Sequence, residues 1–220
     1  MRKQLIALAA VAALAPQFAA AQDSGSWIVR GRALYLQSDN GGSTNVAGVG
    51  SLGLKTNDKV FPELDISYFF TPNIAAELIL TYPQYQEIKS TNAALGFDNH
   101  KIGGFRHLPP TLTAQYHFTN FDGFRPYVGA GVNFTSISQV HWTDATVKSL
   151  NPSISDNSFG WAVQAGVDIP VGNNWLINLD VKKVKIGVDV KADVDGTGVK
   201  KIGDFNVDPL LFSVGVGYRF

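Results

Sequence analysis

Residues 210–220 read Leu210-Leu-Phe-Ser-Val-Gly-Val-Gly-Tyr-Arg-Phe220. Leu210, Phe212, Val214, Val216, Tyr218 and Phe220 share one parity, and Ser213, Gly215, Gly217 and Arg219 the other. Such alternation marks a strand with two unlike faces. One face is large and apolar without a break, and the other is small or polar. Phe159, Trp161, Val163, Ala165, Val167 and Ile169 repeat the pattern against Gly160, Ala162, Gln164, Gly166 and Asp168. Leu112, Ala114, Tyr116 and Phe118 repeat it against Thr111, Thr113, Gln115 and His117.

Five weaker segments, near 26–37, 60–70, 74–84, 125–138 and 175–187, bring the set to eight strands. Most reach about ten residues, the length with which a tilted strand crosses a bilayer. Short links at Thr71-Pro72-Asn73, 119–124 and 171–174 alternate with long ones near 38–59, 85–107, 139–157 and 188–206, which are rich in Gly, Asn, Asp, Ser and Lys. In an up-and-down barrel this alternation puts every long loop at one end and both chain termini at the other. The expected fold is therefore all-β: an eight-stranded antiparallel transmembrane β-barrel with short periplasmic turns and long extracellular loops. A soluble barrel such as a lipocalin would point its large apolar residues inward. Here they form the continuous face, while Gly129, Gly131, Gly215 and Gly217 fall on the face that suits a narrow lumen. Trp27, Phe70, Phe118, Tyr127, Trp175 and Tyr218 gather at the turn end, and Tyr35, Tyr82, Phe134 and Trp161 toward the loop end, as two interfacial girdles.

Composition agrees. Hydrophobic residues make up 45% of the 220-residue chain and charged residues only 16%, against roughly 25% in a soluble domain. Eighteen basic residues balance eighteen acidic ones, which gives no footing for a nucleic-acid partner. The absence of Cys excludes disulfides and thiolate metal sites, and no cofactor is implied. At the N-terminus, Arg2 and Lys3 precede an apolar run from Leu5 to Leu14, and Ala19-Ala20-Ala21 supplies small residues before Gln22. This pattern reads as an export signal over 1–21, cleaved after Ala21, followed by the barrel over 22–220. Loss of Arg2 and Lys3 takes the basic count from 18 to 16 against 18 acidic residues, a net of −2.

Following the inward parity from the turn end upward gives two levels. The lower lumen receives Arg30, Arg32, Asp65, Glu77, Gln115, His117, Asn133, Gln164, Asp168, Asn178, Asp180, Lys182 and Arg219. Both signs are present, so an ion-pair network filling the barrel is expected there rather than an open aqueous pore. The upper lumen receives Leu34, Leu36, Phe61, Ile79, Val184, Ile186, Val207 and Leu211, an apolar set expected to form a ligand-binding pocket open toward the outside. The alternative is that these residues cap a packed core or slip outward through a bulge, since parity fails wherever a bulge adds a residue. Lys183 and Lys185 fall outward at the loop end, where they either meet lipopolysaccharide phosphates or mark the strand's exit from the membrane.

Several stretches resemble the OmpW family of small outer-membrane barrels: Leu108-Pro-Pro-Thr-Leu112 with Ala114 and Gln115, Arg125-Pro-Tyr-Val-Gly-Ala-Gly-Val-Asn133, Gly166-Val-Asp168, Trp175-Leu with Asn178, and Gly217-Tyr-Arg-Phe220. The resemblance covers essentially the whole chain after the signal. It implies an eight-stranded barrel in the bacterial outer membrane with a hydrophobic channel for small apolar molecules. Its surroundings are then outer-membrane lipid and lipopolysaccharide, and Phe220 resembles the terminal signal that barrel-assembly machinery reads. Where family members carry Trp before the Gly of the sixth strand, this chain has Phe159, which parity turns outward and away from a gating role.

Other motifs carry little. Gly48-Val-Gly50-Ser-Leu-Gly53 matches G-x-G-x-x-G without a βαβ unit around it. Asp193-Val-Asp195-Gly196 lacks the remaining calcium ligands. His100, His107 and His141 are placed in or beside the outer loops, and His117 in the lumen floor. The expected function is passive uptake of small hydrophobic solutes, with release sideways into the bilayer above the polar floor. Two alternatives belong to other classes. One is an adhesive barrel whose loops bind a surface partner. The other is a barrel enzyme, which would need His107 to converge with Ser90 or Asp98 at the rim.

Overall fold

A computed structural model of the chain describes residues 26–40, 44–46, 50–92, 97–193 and 198–220. The export signal over 1–21 and parts of the Gly48–Gly53 and Asp193–Gly196 motifs lie outside these residues. In chain order the strands begin with β1 (Trp27–Gln37), β2 (Thr44–Val46), β3 (Gly50–Leu52), β4 (Leu54–Thr56), β5 (Lys59–Phe69), β6 (Ile74–Thr81), β7 (Gln84–Asn92) and β8 (Phe97–Leu108). They continue with β9 (Thr111–His117), β10 (Arg125–Trp142), β11 (Ser153–Ile154), β12 (Asn157–Gly172), β13 (Trp175–Val184), β14 (Gly187–Ala192), β15 (Lys200–Asn206) and β16 (Leu210–Arg219). One short helix, α1 (Ala145–Ser149), follows β10.

Eight of these strands close on themselves. The antiparallel circuit runs β1, β5, β6, β9, β10, β12, β13 and β16, and β16 pairs back onto β1 from Ile28↔Arg219 to Gln37↔Leu210. Closure leaves no free edge, the condition for a sheet in lipid. Burial alternates residue by residue along these strands. In β16, Phe212, Val214 and Val216 face out, while Leu211 and Ser213 are buried. Gly215 and Gly217 share that inward parity, and the stems of Arg32 and Arg30 beside them leave no room for a Cβ. The short turns close at the lower end. In the β12–β13 turn, Gly172, Asn173 and Asn174 hold φ of 100°, 47° and 67°, a left-handed run that Gly and Asn tolerate best.

The long links are not loops throughout. β7 and β8 pair with each other and carry the wall upward past β6 and β9, and β8 also pairs with β10. A second, five-stranded sheet, ordered β11-β14-β15-β2-β3, stands over the barrel. The sequence concealed both because their outward rows, such as Tyr85, Glu87 and Lys89, face water and not lipid. One aromatic assignment also fails. Tyr127 is 1% exposed and points into the lumen, whereas Trp175, Phe118, Tyr35, Tyr82, Phe134 and Trp161 lie on the outer surface.

Candidate functional site: a sealed lower lumen and an apolar upper lumen

Inward positions on the lower parts of eight strands meet on the barrel axis, and the side chains there bind one another. Arg30 donates from Nε and Nη2 to the two carboxylate oxygens of Asp168 at 3.0 and 2.5 Å, and from Nη1 to Ser67 Oγ at 2.6 Å and Glu77 Oε1 at 3.2 Å. Arg32 reaches Glu63 Oε1 at 3.3 Å and Glu77 Oε1 at 3.2 Å. Its Nε lies 2.9 Å from Asp65 Oδ2, an ion pair without hydrogen-bond alignment. Glu77 Oε2 accepts from Gln115 Nε2 at 2.7 Å and Gln164 Nε2 at 2.8 Å. Lys182 Nζ donates to Glu63 Oε2 at 3.2 Å, and the Tyr127 hydroxyl donates to Asp180 Oδ2 at 2.8 Å. His117 shares a 2.9 Å hydrogen bond with Gln115 Oε1.

Arg30, Arg32, Asp65, Glu77, Gln115, His117, Gln164, Asp180 and Lys182 are all buried in this network. Arg219 is half-buried at its lower edge, with its guanidinium 5.1 Å from the centre of the Phe69 ring. Below the network a cavity of about 210 Å³ opens at the turn end between His117, Arg125, Asp168, Trp175 and Arg219. Glu63, Ser67 and Tyr127 are members that sequence reasoning missed. Glu63 has the same parity as Asp65, but Pro62 breaks the alternation before it. Tyr127 suits a girdle by residue type, but its parity is inward.

Directly above, the chemistry changes. Leu34, Leu36, Phe61, Val184, Ile186 and Leu211 are buried in one apolar cluster, together with Ile88, Phe105, Ile137, Val188 and Phe205 from the upper wall and the second sheet. Ile79 is buried but outside that cluster. The pocket expected to be open is closed here: the gap among Phe105, Ile137, Ile186 and Phe205 is about 10 Å³, the room of a single water. His107 is not a loop residue; it is 3% exposed and lines that gap. Ser90, six residues along β7 from Gln84, pairs with His100, while Gln84 pairs with His107. Six strand residues span roughly 20 Å, so Ser90 and His107 do not converge. Phe159 is 73% exposed on the outer face. Lys183 and Lys185 bind carboxylates, Asp39 at 2.8 Å and Asp208 at 2.5 Å.

The wall has one discontinuity beside the apolar cluster. β6 pairs with β9 up to Ile79↔Thr111, and β7 pairs with β8 from Gln84↔His107, a one-residue shift of register. Pro83, Pro109 and Pro110 lie within it and offer no N–H to a ladder. Side chains serve carbonyls there instead. Gln84 Nε2 donates to Tyr82 O at 3.1 Å, and Asn133 Nδ2 donates to Pro109 O and Pro110 O, each at 3.3 Å.

A closed eight-stranded barrel, apolar outside and sealed by ion pairs within, defines an outer-membrane β-barrel. The chain belongs to the OmpW family, whose model matches residues 23–220, and it is a protein of the bacterial outer membrane. It is 42% identical to the outer-membrane protein y4mB of Sinorhizobium fredii over 88% of this chain and 80% of that one. Outer membrane protein W of Escherichia coli is 31% identical over the full length of both. The dibenzothiophene metabolism operon protein PahQ of Pseudomonas aeruginosa is 30% identical over 54% of each. Among solved structures, OprG of Pseudomonas aeruginosa superposes with a TM-score of 0.76 at 25% identity, covering 90% of this chain and 96% of that one.

Proposed function

We propose that this barrel passively admits small hydrophobic solutes from outside through its upper lumen and releases them sideways into the bilayer, without chemistry of its own. The observation that carries the reading is the abrupt change along the axis. A solute cannot continue downward without breaking the Arg30–Asp168 and Arg32–Glu77 pairs. Upward and sideways it meets mainly apolar side chains, no ion pairs among the described residues, and the register shift at Pro83, Pro109 and Pro110. Such a step needs the upper cluster to part, which non-directional contacts permit at lower cost than ion pairs do. The relative named for a dibenzothiophene metabolism operon supports an apolar solute. On this reading the outer rim contacts lipopolysaccharide, and Phe220 addresses the chain to the barrel-assembly machinery.

The test replaces Leu36 and Leu211 with Asp and follows uptake of an apolar solute by cells that depend on this barrel. Uptake is expected to fall to the level of cells without it. Unchanged uptake in correctly folded variants overturns the reading. The ordered sheet above the barrel keeps a second reading in play, in which the loops bind a surface partner. Substitutions at the loop tips would then abolish binding and leave uptake intact.

A further inference from the structure

The upper lumen is not uniformly apolar. Gln84, Gln86 and His107 point inward from the β7–β8 wall, with exposures of 0%, 0% and 3%. Gln84 stands opposite His107, and Gln86 opposite Phe105, so the three side chains occupy one small patch on one face. Gln84 uses its Nε2 on Tyr82 O, and its Oε1 has no hydrogen-bond partner among the described residues. Neither Oε1 nor Nε2 of Gln86 has one, nor does Nε2 of His107. Buried amides are nearly always bonded, and an unbonded one marks either a site or an internal water. Gln86 and His107 line the 10 Å³ gap, and Ile186, Val188, Phe205 and Val207 line it as well. The gap therefore has a polar wall and an apolar wall.

We infer that this cleft binds the head of an amphiphile: an apolar tail bearing an uncharged group that both donates and accepts a hydrogen bond, such as an alcohol or a protonated carboxylic acid. The Gln86 amide presents a donor and an acceptor side by side, so one hydroxyl satisfies both: it donates to Oε1 and accepts from Nε2. A pure hydrocarbon in the same cleft leaves the amide unbonded and gains nothing from it. The tail lies against Ile186 and Phe205, and occupancy requires the hairpin of β14 and β15 to move outward, since the resting gap holds no more than one water. This inference rests on the uptake reading and narrows its substrate class.

The experiment compares decan-1-ol with n-decane, which share a tail and differ in the head. In lipid nanodiscs, the imidazole nitrogen resonances of His107, assigned by their loss in His107→Phe, are expected to shift with decan-1-ol and stay in place with n-decane. In cells, Gln86→Leu is expected to lower the ratio of decan-1-ol to n-decane uptake about fivefold, the worth of one neutral hydrogen bond. Replacing an unbonded buried amide with a similar-sized apolar group leaves the fold intact. Equal shifts with both solutes, or an unchanged ratio in Gln86→Leu, overturn the head site while uptake stands. Shifts specific to decan-1-ol without uptake above the barrel-free control overturn the uptake reading and leave the site. A His107 resonance that ignores decan-1-ol shows that the patch holds an internal water only, and overturns the inference.

Discussion

Arg30 and Arg32 precede Leu34 and Leu36 on one inward row of β1, yet the two halves of the lumen are held by different forces. Below, each charged group is fixed by direction: Glu77 alone accepts from Arg30, Arg32, Ser67, Gln115 and Gln164. Above, Leu34, Phe61 and Leu211 are held by contacts that any apolar neighbour can supply. A directional network resists partial opening, because removing one partner strands a buried charge. An apolar cluster yields more gradually, because its surroundings relax into part of any space created. The two halves are thus a fixed plug and a deformable chamber stacked on one axis.

The largest effect is expected from attacking the plug. Glu77→Leu removes the shared acceptor and leaves both guanidiniums short of a partner, at a cost of about 3–5 kcal/mol. Urea unfolding of the lipid- or detergent-folded barrel measures it, and a loss below about 1 kcal/mol would show that the network does not act as a unit. The chamber answers more softly. Leu34→Ala is expected to cost about 2 kcal/mol, the lower end for a buried leucine, since the upper wall includes loop strands able to close in. The same variant is expected to raise uptake of an apolar solute, whereas Glu77→Leu is not. Equal stability losses at the two sites would erase the distinction between plug and chamber.

How far this was legible in the sequence follows the same division. Period-two hydrophobicity reports a strand only where one face meets lipid and the other does not, so the eight wall strands stood out by their Val and Phe rows. β7 and β8 rise into water on one side and into the lumen on the other. Their rows, Gln84, Gln86, Ile88 and Ser90 against Tyr85, Glu87 and Lys89, show little apolar contrast, and the segment reads as a loop. Val188 and Val190 alternate with Asp189 and Lys191, a strand signal hidden by the Gly-, Asp- and Lys-rich company of the link. The lower lumen was more legible because a charge on a membrane strand has to face inward. The upper chamber was legible in residue type but not in state, since parity says which way Leu36 points and not whether its neighbours touch it. The unbonded amide of Gln86 and the unbonded Oε1 of Gln84 carried no sequence signal, because their meaning depends on what stands opposite.

The smallest expected effect lies above both regions, where ion pairs meet water. In the hairpin of β14 and β15, Lys201 Nζ is 2.8 Å from Asp189 Oδ1 and 2.7 Å from Asp204 Oδ1. The hydrogen bonds to Asp189 and Asp204 push the lysine up to about 12, and the hydrogen bond from Lys201 holds Asp189 below the usual carboxylate range. The raised lysine contributes fully below its ordinary value and is lost as pH rises through about 12. The lowered carboxylate contributes above its ordinary value and is lost as pH falls through the depressed one. At neutral pH both are present, so only acid or strong alkali loosens this hairpin. Because the groups are exposed, their contribution is small and salt screens it. A carboxyl carbon titration of Asp189 is expected to move back toward the ordinary range in Lys201→Met, and in part at high salt, with the urea midpoint of the barrel unmoved. A midpoint that shifts with Lys201→Met would mean that the second sheet is coupled to the plug. The chamber between them would then transmit force like a rigid core, contrary to the softness on which the uptake reading depends.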